Sequence, residues 1–224
     1  MAELHVLRVF CAPDGSGGNP AGVFLDGDRV AEDARQGIAA DLGFAETVFV
    51  DDAREGRTRI FTPSEELDFA GHPMVGTAWL LARERAPVDR LRPPAGEVPV
   101  RLEGELTFIS GRPEWGPQWV FVQVDSPAEI DGLRRPPDER PLVGAWAWID
   151  EERGVIRERV FAREIGIVED EATGSAAVRL VTRLGRPLEI HQGEGSLITA
   201  RPVDNGMVEV GGRVELEEVR AYSA

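Results

Sequence analysis

Apolar and polar residues alternate over His5–Phe10, and the β-formers there predict a first strand. Cys11–Pro20 is rich in glycine and proline and reads as a loop, with a second strand over Ala21–Leu25. Ala31–Leu42 carries helix formers with apolar positions at Ile38, Ala39 and Leu42. From Gly43 the chain enters a strand ending near Val50, in which alternation puts Glu46 on one face with Val48 and Val50. Arg57–Thr62 is a further strand. A helix follows to about Arg83, beginning at Gly71-His72-Pro73 and apolar nearly all round. Such a helix belongs inside a domain. Glu97–Leu102 and Leu106–Ser110 pair as a hairpin, and 111–117 reads as a linker.

The second half restarts with a strand over Trp119–Val124, a short helix over Ala128–Leu133 and a strand over Leu142–Ile149 containing Trp146 and Trp148. A strand region over Val155–Ile167 leads to Glu169-Asp170 and a second core helix from Gly174. Leu188–His191, Ser196–Ala200, Met207–Val210 and Val214–Val219 supply closing strands. Gly71-His72 aligns with Gly174-Ser175, about a hundred residues later, which suggests a duplicated half-molecule. Pro73 fits a first helical turn. The first N–H groups of both helices lack helical partners and sit at the positive end of the dipole, where carboxylates and oxyanions are attracted. Two such starts suggest one anion site between two similar domains. Taken singly, each is more often an ordinary core helix.

Composition narrows the classes. With 42% hydrophobic and 29% charged residues the chain is globular. Its net charge of −15 argues against nucleic acid. No apolar run approaches the ~20 residues of a membrane helix. One cysteine, Cys11, and no basic, apolar leader make the cytoplasm the expected location. All basic residues are arginine, so lysine Schiff-base chemistry, a Walker lysine and lysine-held pyridoxal phosphate are excluded. Three scattered histidines lack ligand spacing, so no metal is expected.

Candidate chemistry lies in few residues. If the Glu46 face is the inner one, its carboxyl is desolvated, its pKa rises and it suits general acid/base work. Taken alone it reads slightly better as an edge-strand charge facing water. Asn19 either shapes its turn or points an amide into a cleft. Asp170 and Ser175 either cap the helix or serve a site.

The ordered set Gly18-Asn19-Pro20, Ala45-Glu46-Thr47, Arg59 to Pro63 with Glu66, Phe69-Ala70-Gly71-His72-Pro73, and Glu169-Asp170 with Thr173-Gly174-Ser175-Ala176-Ala177 resembles the phenazine-biosynthesis PhzF-like isomerases. The resemblance runs from about residue 5 to Gly211-Gly212-Arg213-Val214. It implies an α/β (α+β) diaminopimelate epimerase-like fold, with two pseudo-symmetric domains each wrapping a curved mixed sheet around a central helix. The halves are placed at 1–112 and 113–212, with the last strand, about 213–224, free to return to the first. The resemblance further implies a cofactor-independent proton shift on a small carboxylate-bearing substrate, without membrane association, in a homodimer for which Trp146 and Trp148 are candidate contacts. Glu46, His72 and Asp170 match catalytic positions; Asn19, Gly71, His72, Gly174 and Ser175 match substrate-binding ones. His72 and Ser175 replace the paired cysteines of two-thiol racemases. Glu171, where proline is usual, and Gly193-Glu194-Gly195-Ser196 depart from the pattern. The alternatives are a non-catalytic small-anion binding protein and a racemase using Glu46 with His72.

Overall fold

The structure, a computed structural model, describes residues 2–163 and 167–222. The first half runs β1 (Ala2–Cys11), β2 (Gly17–Phe24), α1 (Glu32–Leu42), β3 (Glu46–Asp52), β4 (Arg57–Phe61), β5 (Glu66–Leu67), α2 (Gly71–Glu84), β6 (Arg90–Leu91), β7 (Val98–Glu103) and β8 (Leu106–Gly111). The second runs β9 (Val120–Gln123), α3 (Pro127–Asp131), β10 (Leu142–Asp150), β11 (Val155–Ala162), β12 (Ile167–Asp170), α4 (Gly174–Leu184), β13 (Leu188–Gln192), β14 (Ser196–Pro202) and β15 (Val208–Tyr222).

The repeat seen in the sequence is a repeat of topology. In the first half β2 runs parallel to β3, β3 antiparallel to β4, and β5 leads into α2. In the second, β9 runs parallel to β10, β10 antiparallel to β11, and β12 leads into α4. A hairpin closes each half, β7–β8 and β14–β15. β15 joins them: it pairs with β8 over 208–213 and then with β1 as far as Ala2–Tyr222.

The core is built on the two inner helices. In α2 every residue from Gly71 to Ala78 is buried, as are Leu80 and Leu81, while Trp79 and Ala82 are half-buried and Arg83 and Glu84, in the last turn, are exposed. α4 buries Ala176, Ala177, Val178, Leu180 and Val181, and Gly185 ends it in the left-handed region at φ 66°, donating back to the Val181 carbonyl. Val48 and Val50 of β3 point into this core, whereas Phe49 points outward against Ile38 and Ala39 of α1. Glu158 of β11 shares its face with Ile156 and Val160 and is fully buried, and neither carboxyl oxygen has a hydrogen-bond partner. Burial alone pushes this carboxyl up to about 8.

Several expected elements change. Gly17–Pro20 is not loop but the start of β2, paired with β1. The expected strand region 155–167 folds back on itself as antiparallel β11 and β12. The two expected strands near 207–219 are one strand of 15 residues. Trp146 is 3% exposed and belongs to the core, with Trp148 stacked edge-on against it at 5.0 Å, so Trp146 offers no surface for another subunit. Residues 1, 164–166 and 223–224 of the expected segments lie outside the described residues.

Candidate active site

Glu46 opens β3, and the alternation that buries Val48 and Val50 turns its side chain inward. The side chain is 13% exposed, and Oε2 is buried without a hydrogen-bond partner, 3.4 Å from Nδ1 of His72. Burial raises the carboxyl to about 7. His72, the second residue of α2, is pushed down to about 4 by burial, against weaker pulls from Asp170 and the Pro20 carbonyl. Between these values both groups are neutral, so their approach is not an ion pair. His72 Nε2 is likewise buried and unpartnered.

Asp170 comes from the other half, at the end of β12. Its Oδ1 accepts from Asn19 Nδ2 at 2.7 Å and its Oδ2 from Thr173 Oγ1 at 2.5 Å. Burial lifts its pKa to about 6; nearby His72 and these two hydrogen bonds oppose the rise, and Glu46 adds to it. Asn19 also donates to the Ala172 carbonyl at 2.9 Å. Gln192 donates to the Asp170 carbonyl at 2.8 Å and accepts from the Thr173 N–H at 3.1 Å. The buried Asn19 and Gln192 therefore hold the 170–173 turn from two sides.

Behind them a second link crosses between strands of the two halves. The Glu171 carboxylate accepts from the Glu194 N–H at 2.9 Å and from Ser196 Oγ at 2.7 Å, and Ser196 Oγ accepts from the Gly18 N–H at 2.9 Å. The two departures from the family pattern thus contact each other, and together they brace the strand that carries Asn19.

The starts of α2 and α4 meet. A Cβ on Gly71 would lie 3.0 Å from Gly174 Cα, and one on Gly174 would lie 3.0 Å from Gly71 Cα and 3.1 Å from the His72 nitrogen. Neither N-cap residue, Ala70 or Thr173, closes its helix with a side-chain hydrogen bond. Two positive dipole ends therefore face one space. That space is a cavity of about 510 Å³, lined by Glu46, Gly71, His72, Asp170, Gly174 and Ser175 among others. Asn19 does not line it; its amide is bonded to Asp170.

Sequence reasoning assigned no role to Thr62, Trp115, Trp119 or Gln192. The first three line the cavity, and Trp119 Nε1 donates to Ser175 Oγ at 3.2 Å. Trp115 lies within the segment read as a plain linker, where Pro113–Trp115 forms a 3-10 turn, and Trp119 lies just after it. Leu142 of β10 and Ala162 of β11, paired with each other, line the same cavity. Among the described residues no cluster of His, Cys, Asp or Glu is placed to hold a metal ion. Nor is any helix among them long and apolar enough to cross a membrane.

A cleft with a helix start on each side, in a sheet that repeats its topology, defines the diaminopimelate epimerase-like class of isomerase fold. A solved Clostridium difficile protein of the PhzC/PhzF group superposes with a TM-score of 0.81 at 19% identity, covering 100% of both chains. An Agrobacterium radiobacter protein of the proline racemase type does so at 0.63 and 12% identity, covering 100% of this chain and 93% of that one. Residues 8–112 match the family described as phenazine biosynthesis-like protein, PhzC-PhzF. Trans-2,3-dihydro-3-hydroxyanthranilate isomerase of Pseudomonas aeruginosa is 33% identical, over 79% of this chain and 78% of its own. The chain belongs to the phenazine biosynthesis-like PhzC/PhzF family and is an isomerase.

Proposed function

We propose that this isomerase moves a proton between two atoms of a small carboxylate-bearing substrate without a cofactor, using Glu46 as general acid and base. The observation that carries the reading is the Glu46 carboxyl, desolvated and with Oε2 unpartnered, in the same cavity as the two abutting helix starts. The substrate carboxylate sits at the amides of residues 71 and 174. Glu46 in its ionised form takes a proton from carbon; the negative charge spreads toward the carboxylate, where the helix ends stabilise it. Protonated Glu46 then returns the proton at another carbon. A pKa near 7 keeps both forms accessible. His72 offers Nε2 to the substrate, Asp170 and Ser175 hold it, and Asn19 positions Asp170.

Support for a division at 112/113 comes from the repeated topology, and for the last strand returning to the first half from the pairing of β15 with β1. A homodimer belongs to the same proposal on family resemblance, and a cytoplasmic location on the single cysteine.

The test is hydrogen exchange. Small ring and amino-acid carboxylates, including the substrate named for the Pseudomonas relative, are incubated with the protein in deuterated water and examined by mass spectrometry and NMR. Wild type is expected to label a substrate carbon, and Glu46→Gln to retain its fold while labelling falls about 10²–10⁴-fold. Labelling unchanged in the variant overturns the role. Binding without labelling by wild type marks a small-anion binding protein, and inversion of optical rotation marks a racemase.

A further inference from the structure

Asp170 belongs to a closed circuit of hydrogen bonds that crosses between the halves twice. Its Oδ1 takes the Asn19 amide at 2.7 Å, and Asn19 follows Gly18 in β2. The Gly18 N–H donates to Ser196 Oγ at 2.9 Å, and Ser196 Oγ donates to Glu171 Oε1 at 2.7 Å. Glu171 is the chain neighbour of Asp170, which closes the circuit. Neither Glu171 nor Ser196 lines the central cavity, so their effect on a molecule bound there passes through other residues.

What each group can offer sets the direction of each bond. A hydroxyl has one proton and two lone pairs, and a carboxylate only accepts. With its proton committed to Glu171, Ser196 Oγ has lone pairs alone to present to the Gly18 N–H. Ser196 is 1% exposed, so bulk water does not compete for it. The Glu171 carboxylate is seated in the turn before β14. It also accepts from the Glu194 N–H at 2.9 Å, and a Cβ on Gly193, at φ 57°, would collide with it. A Cβ on Gly17 would collide with the Gly195 carbonyl, so the strand of the first half lies directly on this turn of the second. Resting on the role given to Asp170 above, we propose that Glu171 and Ser196 are positioning residues for it: Glu171 fixes the Ser196 hydroxyl as an acceptor toward Gly18, and that contact holds the Asn19 amide on Asp170 Oδ1, presenting the carboxylate to the cleft in one orientation. Burial lifts the Asp170 carboxyl to about 6, and the Asn19 amide is one of the bonds that oppose a further rise, so loosening the circuit has a measurable consequence.

NMR titration of the Asp170 carboxyl in the full chain tests this without any substrate, so its outcome is separate from that of the exchange experiment. Ser196→Ala breaks the circuit with no change of charge and is expected to raise the Asp170 pKa by about half to one pH unit, because a bond to the ionised form is weakened. Glu171→Ala is expected to move it the same way, although loss of a neighbouring negative charge by itself would lower it. Glu171→Gln keeps an acceptor oxygen for Ser196 and should not raise it. In the Asn19→Ala background, where the amide is already gone, Ser196→Ala should add nothing, whereas general loosening of the turn would move the pKa again. Melting temperatures check that each variant is folded. An Asp170 pKa unmoved or lowered in the folded alanine variants, or raised by Ser196→Ala as far without Asn19 as with it, overturns the proposal.

Discussion

Replacing Glu158 by leucine isolates the energetic cost of one buried acid. In the native protein its carboxyl sits near 8, against 4.5 for the free side chain, because burial disfavours the ionised form and nothing hydrogen-bonds it. The folded pKa is raised, so the native state binds the proton more tightly than the unfolded one. This contribution is fully present below about pH 4.5 and is lost as pH rises toward 8. At 1.36 kcal/mol per unit, the loss is about 3 kcal/mol at pH 7 and about 4 kcal/mol at pH 8. Leucine at this position abolishes the titration and suits the apolar company of Ile156 and Val160. Glu46 and Asp170 titrate in both proteins, so they cancel in the difference. Urea unfolding at pH 5, 6, 7 and 8 is expected to show the variant gaining about 3–4 kcal/mol on wild type across that range. The difference in melting temperature at pH 8 should be on the order of 10 °C. Stability curves that stay parallel from pH 5 to 8 would refute the reasoning, because they would mean that the Glu158 carboxyl is paired or hydrated in the folded protein.

Two further perturbations address the site. Gly71→Ala and Gly174→Ala each put a methyl group against backbone of the other helix start and should each cost about 1–3 kcal/mol. Once one has pushed the ends apart the second costs less, so unfolding of the double variant should fall short of the sum by about 1 kcal/mol; strict additivity would show that the ends do not touch. Asn19→Ala removes the amide from Asp170 and Ala172 and is expected to cost about 1–3 kcal/mol. It should also move the Asp170 titration upward from about 6, because the amide stabilises the ionised form; NMR titration of the carboxyl checks this, and an unmoved pKa counts against the positioning role.

Much of the scaffold is written locally. An all-round apolar helix after a glycine can only be buried, and this locates α2 from sequence. Strict alternation at 46, 48 and 50 sets the inward turn of Glu46 once Val48 and Val50 are known to face the core. What was not legible depends on distant partners. Gly17 and Gly18 read as loop because their stretch is rich in glycine and proline, but they take positive φ, 66° and 91°, within a strand packed against Gly195-Ser196. Gln192 continues the buried positions Leu188 and Ile190, and nothing local says that its amide seals the turn at Asp170. Trp115 lies in a stretch read as linker and Trp119 at the start of an expected strand, and no local signal places either in the cavity that both line.

The meeting of α2 and α4 at Gly71 and Gly174 makes the cleft a cross-brace between parts of the chain that fold from separate stretches. A ligand spanning both amides recognises the finished arrangement and has no comparable hold on an unfolded or half-assembled chain. By mass action, such a compound at a hundred times its dissociation constant adds about 2.7 kcal/mol to stability. Resistance to heat across a collection of metabolites therefore offers a way to find the natural ligand before any turnover assay exists.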